Sequence, residues 1–138
     1  MAVDFRTLLK ECMRNQETGE RWFEDLEIGE AFFLSIQAST LHDSTPPELL
    51  EDVNSYGAFQ VTLQTKQGVY TCGKRGAWDF LAGCEWFSLL EEDTPIIRLG
   101  DRIPVSVVQK IYEDVLACAA AHPEMLMKKG GCGAVKLC

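Results

Sequence analysis

The stretch Phe59-Gln-Val-Thr-Leu-Gln-Thr65 carries the most regular pattern in this sequence of 138 residues. Its alternate side chains form an apolar face that ends in a threonine, while the side chains between them are polar. A period of two is typical of a half-buried strand. The polar turn Lys66-Gln67-Gly68 and the run Val69–Cys72 predict that the chain folds back as a second strand. The sequence therefore predicts a central β-hairpin over residues 57–73.

Further strands are predicted on both sides of this hairpin. Residues 31–38 are rich in aromatic and branched side chains, which favours a strand with Phe32, Leu34 and Ile36 on one face. Ile96–Leu99 predicts a short strand, and Glu91–Pro95 predicts a turn before it. Residues 77–90 fit two structures, because 77–82 have helical spacing whereas 84–90 alternate like a strand. We expect a helix over Ala77–Ala82 and leave the remainder open.

Three helices are predicted outside the hairpin region. Residues 4–15 place Phe5, Leu8, Leu9, Cys12 and Met13 on one helical stripe, with Asp4 as a cap. Residues 45–48 form a capping box that predicts a helix over the next turns. Residues 104–122 give the longest amphipathic pattern, which Pro123 ends. Residues 21–27 are compatible with a helical turn or a loop.

This order of elements predicts an α+β fold in a single domain, residues 1–128. We expect an antiparallel sheet of about four strands, with the central hairpin 57–73, packed by an N-terminal helix (4–15) and a C-terminal helix (104–122). Residues 129–138 combine glycine, cysteine and lysine, which predicts a flexible tail. Deleting that tail is expected to change the free energy of unfolding by less than about 1 kcal/mol.

The composition narrows the class of protein. A net charge of −8 disfavours nucleic-acid binding, which depends on clustered lysine and arginine. No apolar run reaches the length of a transmembrane helix, and the start of the chain does not resemble a signal peptide. We therefore expect an acidic cytoplasmic protein that binds neither nucleic acid nor membrane. The six cysteines are then expected to be mostly reduced thiols.

The C-terminal region offers one potential metal or thiol site. Cys118 and His122 are four residues apart on the predicted helix, and Cys132 and Cys138 follow in the tail. Together they have the composition of a Cys₃His zinc site, but their spacing matches no known zinc pattern. Cys132, close to two lysines, also suits a reactive thiolate with Cys138 as its resolving partner. Structural roles for Cys118 and His122 explain the sequence more simply, so we assign no metal ion and no cofactor.

The loop Cys72-Gly-Lys-Arg-Gly76 is the second potential site. Its glycines would let backbone N–H groups approach a small anion, and Lys74 and Arg75 would supply positive charge. The spacing is not that of a P-loop, and a solvated turn is the simpler interpretation.

Two other polar segments contain residues that could take part in catalysis or bind a metal ion. His42-Asp43 is the minimum for acid–base work, and Cys72 or Cys84 would be the nucleophile if either lay close to it. A loop histidine beside a capping aspartate is the commoner arrangement. Glu91–Asp93 lacks the spacing of a calcium or magnesium site.

The aromatic run at residues 78–87 supports a different class of function. It contains Trp78, Phe80, Trp86 and Phe87, which is more than one face of a small sheet needs. If two of these rings were exposed, they would form a binding patch, since aromatic residues are enriched in interface cores. We therefore predict a non-enzymatic binding or adaptor protein that meets a protein partner, or a second copy of itself as a homodimer, through this surface. The alternatives are a thiol- or metal-dependent activity in the C-terminal region and an enzyme that binds a small anion at the loop 72–76.

Overall fold

The structure is a computed structural model, and it describes residues 3–127. The strands are β1 (Glu11–Asn15), β2 (Glu20–Phe23), β3 (Leu26–Ile28), β4 (Phe32–Gln37), β5 (Ala58–Thr65), β6 (Glu91–Thr94) and β7 (Ile97–Pro104). The α-helices are α1 (Ala77–Leu81) and α2 (Val105–Ala121), and single 3₁₀ turns span Phe5–Leu8, Val53–Ser55, Phe87–Leu89 and Pro123–Met125. The predicted α+β character is confirmed.

The main sheet is antiparallel and has the strand order β3-β4-β5-β7-β6. It therefore has five strands, where about four were predicted. β1 and β2 pair as a separate hairpin. That hairpin is joined to β4 through Gln37, whose side-chain amide accepts from the Phe23 N–H at 2.8 Å and donates to the Phe23 carbonyl at 2.9 Å.

The two best-patterned strands lie side by side at the centre of the sheet. In β5 the predicted face of Phe59, Val61 and Leu63 is fully buried, and in β4 the same holds for Phe32, Leu34 and Ile36. Paired residues of β4 and β5 present the same face, with Leu34 opposite Leu63 and Ile36 opposite Val61. The sequence pattern is confirmed here because each strand buries one regular face.

Helix α2 packs on this face of the sheet. Its buried residues are Val108, Ile111, Val115 and Cys118, at the spacing of one helical stripe. The helix ends where Pro123 excludes helical geometry for the residue before it. Its first N–H, at Val105, donates to the Gly57 carbonyl at 3.2 Å. The predicted C-terminal helix is thus confirmed.

The predicted N-terminal helix over residues 4–15 is wrong. Only Phe5–Leu8 is helical, as one 3₁₀ turn, and residues 11–15 form β1. Phe5 is buried with its ring 5.5 Å from that of Phe59. Cys12, expected to be buried, is exposed. The apolar stripe did not indicate a helix because its residues pack in different places. Phe5 packs in the core, whereas residues 11–15 pair with β2.

The central hairpin over 57–73 is also wrong in its second half. Gly68 does form a turn, at a φ of 86°. β5 then pairs with β4 and β7 instead of with residues 69–72. In that segment Val69 makes an isolated bridge to Leu126. The carbonyls of Tyr70 and Thr71 accept from the first N–H groups of α1, so this segment begins a helix rather than extending the sheet.

The predicted helix after Thr45 is absent from the described chain, where the segment between β4 and β5 is largely irregular. The carbonyl of Glu48 accepts from the Tyr56 hydroxyl at 2.6 Å, and the Leu50 N–H donates to that hydroxyl at 2.7 Å. These bonds take backbone groups that a helix would need. Arg21, in β2, forms further hydrogen bonds to this segment.

Arg21 is a buried guanidinium that joins three segments. Its side chain donates to the carbonyls of Leu50 and Ala38 at 2.8 and 2.7 Å and to the Tyr56 hydroxyl at 3.0 Å. The guanidinium also lies 4.4 Å from the centroid of the Phe23 ring. Residue 21 is 2% exposed. The β1–β2 hairpin, the end of β4 and the irregular segment are therefore held together at one point.

Of the remaining predictions, two are corrected, one is confirmed and one lies outside the described chain. Residues 91–94, expected to form a turn, are the edge strand β6. Residues 21–27, expected to form a helical turn or a loop, contribute mainly to the strands β2 and β3. The predicted helix at 77–82 is confirmed as α1, and residues 87–89 of the open segment form a 3₁₀ turn. The tail 129–138 lies outside residues 3–127.

Candidate functional site

A groove opens between the 3₁₀ turn Phe87–Leu89 and the first half of α2. It encloses about 470 Å³. Its apolar walls come from Trp86, Leu89 and Val107, and Glu85, Ser106 and Lys110 complete the lining. We call this cavity the Trp86 groove. It places one residue of the predicted aromatic surface beside two apolar residues that the sequence did not single out.

Trp86 forms a fixed part of the groove. The residue is 3% exposed, and its indole N–H donates to Oδ2 of Asp114 at 2.8 Å. The other carboxylate oxygen of Asp114 accepts from the Lys110 ammonium at 2.9 Å. One carboxylate thus orients both the indole and the lysine. Leu89, by contrast, is 47% exposed and offers most of the accessible apolar surface.

The remaining aromatic residues of the predicted patch are turned largely inward. Trp78 is 5% exposed and donates its indole N–H to the Pro95 carbonyl at 2.8 Å. Phe80 and Phe87 are half-buried. Phe80 stacks on His122 with ring centroids 3.9 Å apart, and the Arg98 guanidinium lies 4.1 Å from the Phe87 centroid. Of these four rings, Trp86 alone lines the groove, where the exposed apolar side chain is that of Leu89.

Leu89 and Val107 were missed by sequence reasoning for different reasons. Leu89 follows a dense aromatic run, where one more apolar residue is indistinguishable from core. Val107 lies outside the apolar stripe of the last helix, which contains Val108, and a single apolar residue beside such a stripe does not indicate a binding surface. In the structure Val108 is buried and Val107 half-buried.

The loop 72–76 is closed by its own backbone. The N–H groups of Gly76, Ala77 and Trp78 donate to the carbonyls of Gly73, Tyr70 and Thr71, each at 2.9 Å. A Cβ on Gly76 would lie 2.3 Å from the Cα of Cys72, so glycine is required there by close backbone packing. These N–H groups are turned into the loop rather than toward an anion.

The two charged residues of this loop have different surroundings. Arg75 donates from Nε to the Glu124 carbonyl at 2.8 Å and lies 4.6 Å from the Tyr70 ring centroid. Lys74 is exposed. Cys72 is in a disulfide bond, unlike the reduced thiol expected at this position. The loop therefore joins the C-terminal segment to the domain through Arg75.

Cys118 and His122 are not brought together as a metal site within the described residues. Burial raises the pKa of the Cys118 thiol to about 11, and nearby Cys84 contributes in the same direction. His122 stacks on Phe80 and places Nδ1 3.3 Å from the Glu124 carboxylate. Between residues 3 and 127 no three histidine, cysteine or acidic side chains are placed to hold a metal ion. Cys132 and Cys138 lie outside this range.

His42 and Asp43 point to different partners. His42 is 4% exposed, with Nδ1 3.0 Å from Oε1 of Gln60 and Nε2 3.1 Å from the Arg21 carbonyl. Asp43 instead faces Arg102, at 3.4 Å. The buried ring of His42 therefore lies between acceptors on β5 and β2, and its N–H attaches the irregular segment to the sheet and the hairpin, which gives this histidine a structural role.

The part of the chain that the structure describes has no helix suited to crossing a bilayer. Comparison of the chain with protein-family models, with curated proteins and with solved structures found no match.

Proposed function

We propose that this chain is a non-enzymatic binding protein, and that a partner protein inserts an apolar side chain into the Trp86 groove. The observation that carries the proposal is the exposed Leu89 beside a concave surface whose other apolar walls, Trp86 and Val107, are held in place. Burying one large aliphatic side chain contributes about 1.5–3 kcal/mol. A rigid apolar pocket of this kind is a typical centre for an interface.

The polar groups of the groove support recognition rather than reaction. Trp86 and Lys110 both bind Asp114, which uses the single donor of the indole and fixes the position of the exposed lysine. Glu85 is exposed at the rim and adds a charge of the opposite sign to Lys110. Rim charges of both signs orient a partner and affect its association rate more than its affinity.

A photoreactive amino acid placed at residue 89 tests this proposal inside cells. Residue 41 is the matched control, because Leu41 is 49% exposed and Leu89 47% exposed. We expect a discrete crosslinked partner from position 89 and none of the same mass from position 41. The purified partner should then bind the Leu89→Asp variant at least about tenfold more weakly, since tenfold corresponds to about 1.4 kcal/mol.

The same crosslinking positions and the Leu89→Asp variant distinguish a different partner protein from self-association. A crosslink to a second copy would indicate a homodimer instead of a different partner protein. In that case the mass measured by sedimentation should increase with concentration, and Leu89→Asp should abolish the increase. Identical crosslinks at residues 89 and 41, or affinity unchanged by Leu89→Asp, would contradict the use of this groove.

A further inference from the structure

A second surface lies at the opposite end of α2, along the outer side of β3. In the described chain β3 is an edge strand, since β4 is the only strand that pairs with it. Beside it is a groove of about 300 Å³ whose apolar lining includes Leu8, Leu26, Tyr112 and Leu116. Leu116 is 40% exposed. We call this the β3 groove. It combines unpaired strand backbone with accessible apolar surface.

The rim of the β3 groove is acidic. Glu24, Asp25 and Glu27 line it, together with one base, Lys10. The Glu27 carboxylate is paired with Lys66. Glu24 and Asp25 are exposed and make no ion pair within residues 3–127. The groove therefore offers two unneutralised carboxylates next to an apolar floor, which complements a basic and partly apolar ligand.

The alternation of β3 fixes the pattern that such a ligand needs. Leu26 and Ile28 point to the core face, where α2 contributes Tyr112 and Leu116, whereas Glu27 points to the opposite face. A strand added beside β3 would place its own side chains alternately on these two faces. Apolar residues at every second position would then enter the groove, and the residues between them would lie on the face of Glu27. Because Glu27 is already paired with Lys66, the attraction for basic residues comes from Glu24 and Asp25, which precede β3.

A second copy of this chain does not suit the groove. Two β3 strands paired antiparallel about a twofold axis at Glu27 would place the two Glu27 side chains opposite each other and Glu24 opposite Glu30. Like charges directly opposite one another destabilise strand pairing. The charge therefore favours a basic partner over self-association.

We propose that β3 receives an extended segment of a partner protein in which basic and apolar residues alternate. Backbone hydrogen bonds to the edge would supply part of the affinity, and the pocket would select the apolar side chains, as in other strand-addition complexes. This inference is independent of the Trp86 groove. If both surfaces are used, the protein joins two partners through the two halves of α2.

The probe is a short blocked peptide of alternating lysine and leucine, used where the free peptide is monomeric. We expect its binding to shift the backbone amide NMR signals of residues 26–28 and of Leu116. The double variant Glu24→Lys/Asp25→Lys should bind it at least about tenfold more weakly. The matched control is Glu91→Lys/Glu92→Lys, an equal charge change on the opposite sheet edge, β6, and it should change the affinity by less than about twofold.

Two further variants separate this surface from the Trp86 groove and from nonspecific charge attraction. Leu116→Asp should weaken peptide binding, whereas Leu89→Asp should not. If the Glu24→Lys/Asp25→Lys variant does not fold, Leu116→Asp still tests the proposal, because Leu116 is exposed and its substitution should leave the fold intact. An equal loss of affinity in the β6 control, NMR shifts away from β3, or no binding of the peptide would each overturn the proposal.

Discussion

Trp86 lines the groove and also stabilises the fold, so its substitution is a poor test of binding. The buried indole and its hydrogen bond to Asp114 would both be lost in Trp86→Ala, which we expect to lower the free energy of unfolding by about 3–5 kcal/mol. Leu89→Asp, at an exposed position, should change it by less than about 1 kcal/mol. Urea denaturation of the two variants measures both values. Equal destabilisation would mean that Leu89 is part of the core.

The free thiols are expected to differ in reactivity. Burial holds the pKa of Cys118 at about 11, so this thiol stays protonated until the pH approaches that value, and the thiolate is the reactive form. Cys12 is exposed. Alkylation with iodoacetamide at mildly alkaline pH should therefore modify Cys12 well before Cys118. Peptide-resolved mass spectrometry follows both sites, and the denatured protein, in which the two rates should converge, is the control.

The burial of single residues such as Trp78, Trp86 and Arg21 could not be predicted from the sequence. Exposed aromatic side chains were a reasonable expectation for Trp78 and Trp86, because composition does not reveal how many rings a core accepts. Nor does the sequence mark Arg21 as buried, since its partners are carbonyls and a hydroxyl supplied by residues 38–56 rather than a nearby carboxylate.

At the scale of elements, a close contact couples β7 to the Trp86 groove. A Cβ on Gly100 would lie 2.7 Å from the Leu89 carbonyl oxygen and 2.7 Å from Cδ2 of Leu90. Gly100→Ala should therefore displace the turn that carries Leu89 and destabilise the protein by about 1–3 kcal/mol. It should also weaken partner binding at the groove.

Gly83 provides the control for that substitution. A Cβ there would meet nothing within 4 Å. Gly83→Ala should therefore change the free energy of unfolding by less than about 1 kcal/mol. Thermal or urea denaturation of the pair measures the difference, and an equally stable Gly100→Ala would show that the turn adapts without cost.

Three elements with one regular buried face were predicted, whereas two short strands without one were missed. β4, β5 and α2 each bury a periodic set of side chains, so their local pattern matches their tertiary role. β3 has only three residues, which is too short for a period to be recognised. β6 is almost wholly acidic, so it has no apolar period. The N-terminal stripe had a helical period by coincidence, because Phe5 and β1 pack against unrelated partners.

At the scale of the whole molecule, residues 125–127 pack against the segment that follows β5. Met125 is 1% exposed, the Tyr70 N–H donates to its carbonyl at 2.8 Å, and the Met127 N–H donates to the Gly68 carbonyl at 2.8 Å. Met125→Ala should lower the free energy of unfolding by about 2–5 kcal/mol. Met13, which is 50% exposed, is the matched control, and Met13→Ala should cost less than about 0.5 kcal/mol. Comparable values in urea titrations would contradict a structural role for this segment.

The sequence prediction named the aromatic residues 78–87 as a surface, and the structure places one of them, Trp86, in the lining of a groove. The aromatic region does border the Trp86 groove, yet the accessible wall comes from Leu89 and from α2, more than fifteen residues away along the chain. The β3 groove left no sequence signal that we recognised, because its apolar lining combines residues from the first turn, β3 and α2. Surfaces assembled from distant segments depend on the strand order, and periodicity alone does not determine that order.

The contacts of Arg21 imply that the β1–β2 hairpin and the irregular segment open to solvent as one cooperative unit. The Phe23 amide is held by Gln37 and the Leu50 amide by Tyr56, and Arg21 bonds to both Leu50 and Tyr56. Native-state hydrogen exchange should therefore give these two amides the same opening free energy. In Arg21→Met, which keeps much of the side-chain volume, the Leu50 amide should exchange faster than the Phe23 amide. Unequal protection in the wild type would show that the guanidinium does not couple the two segments.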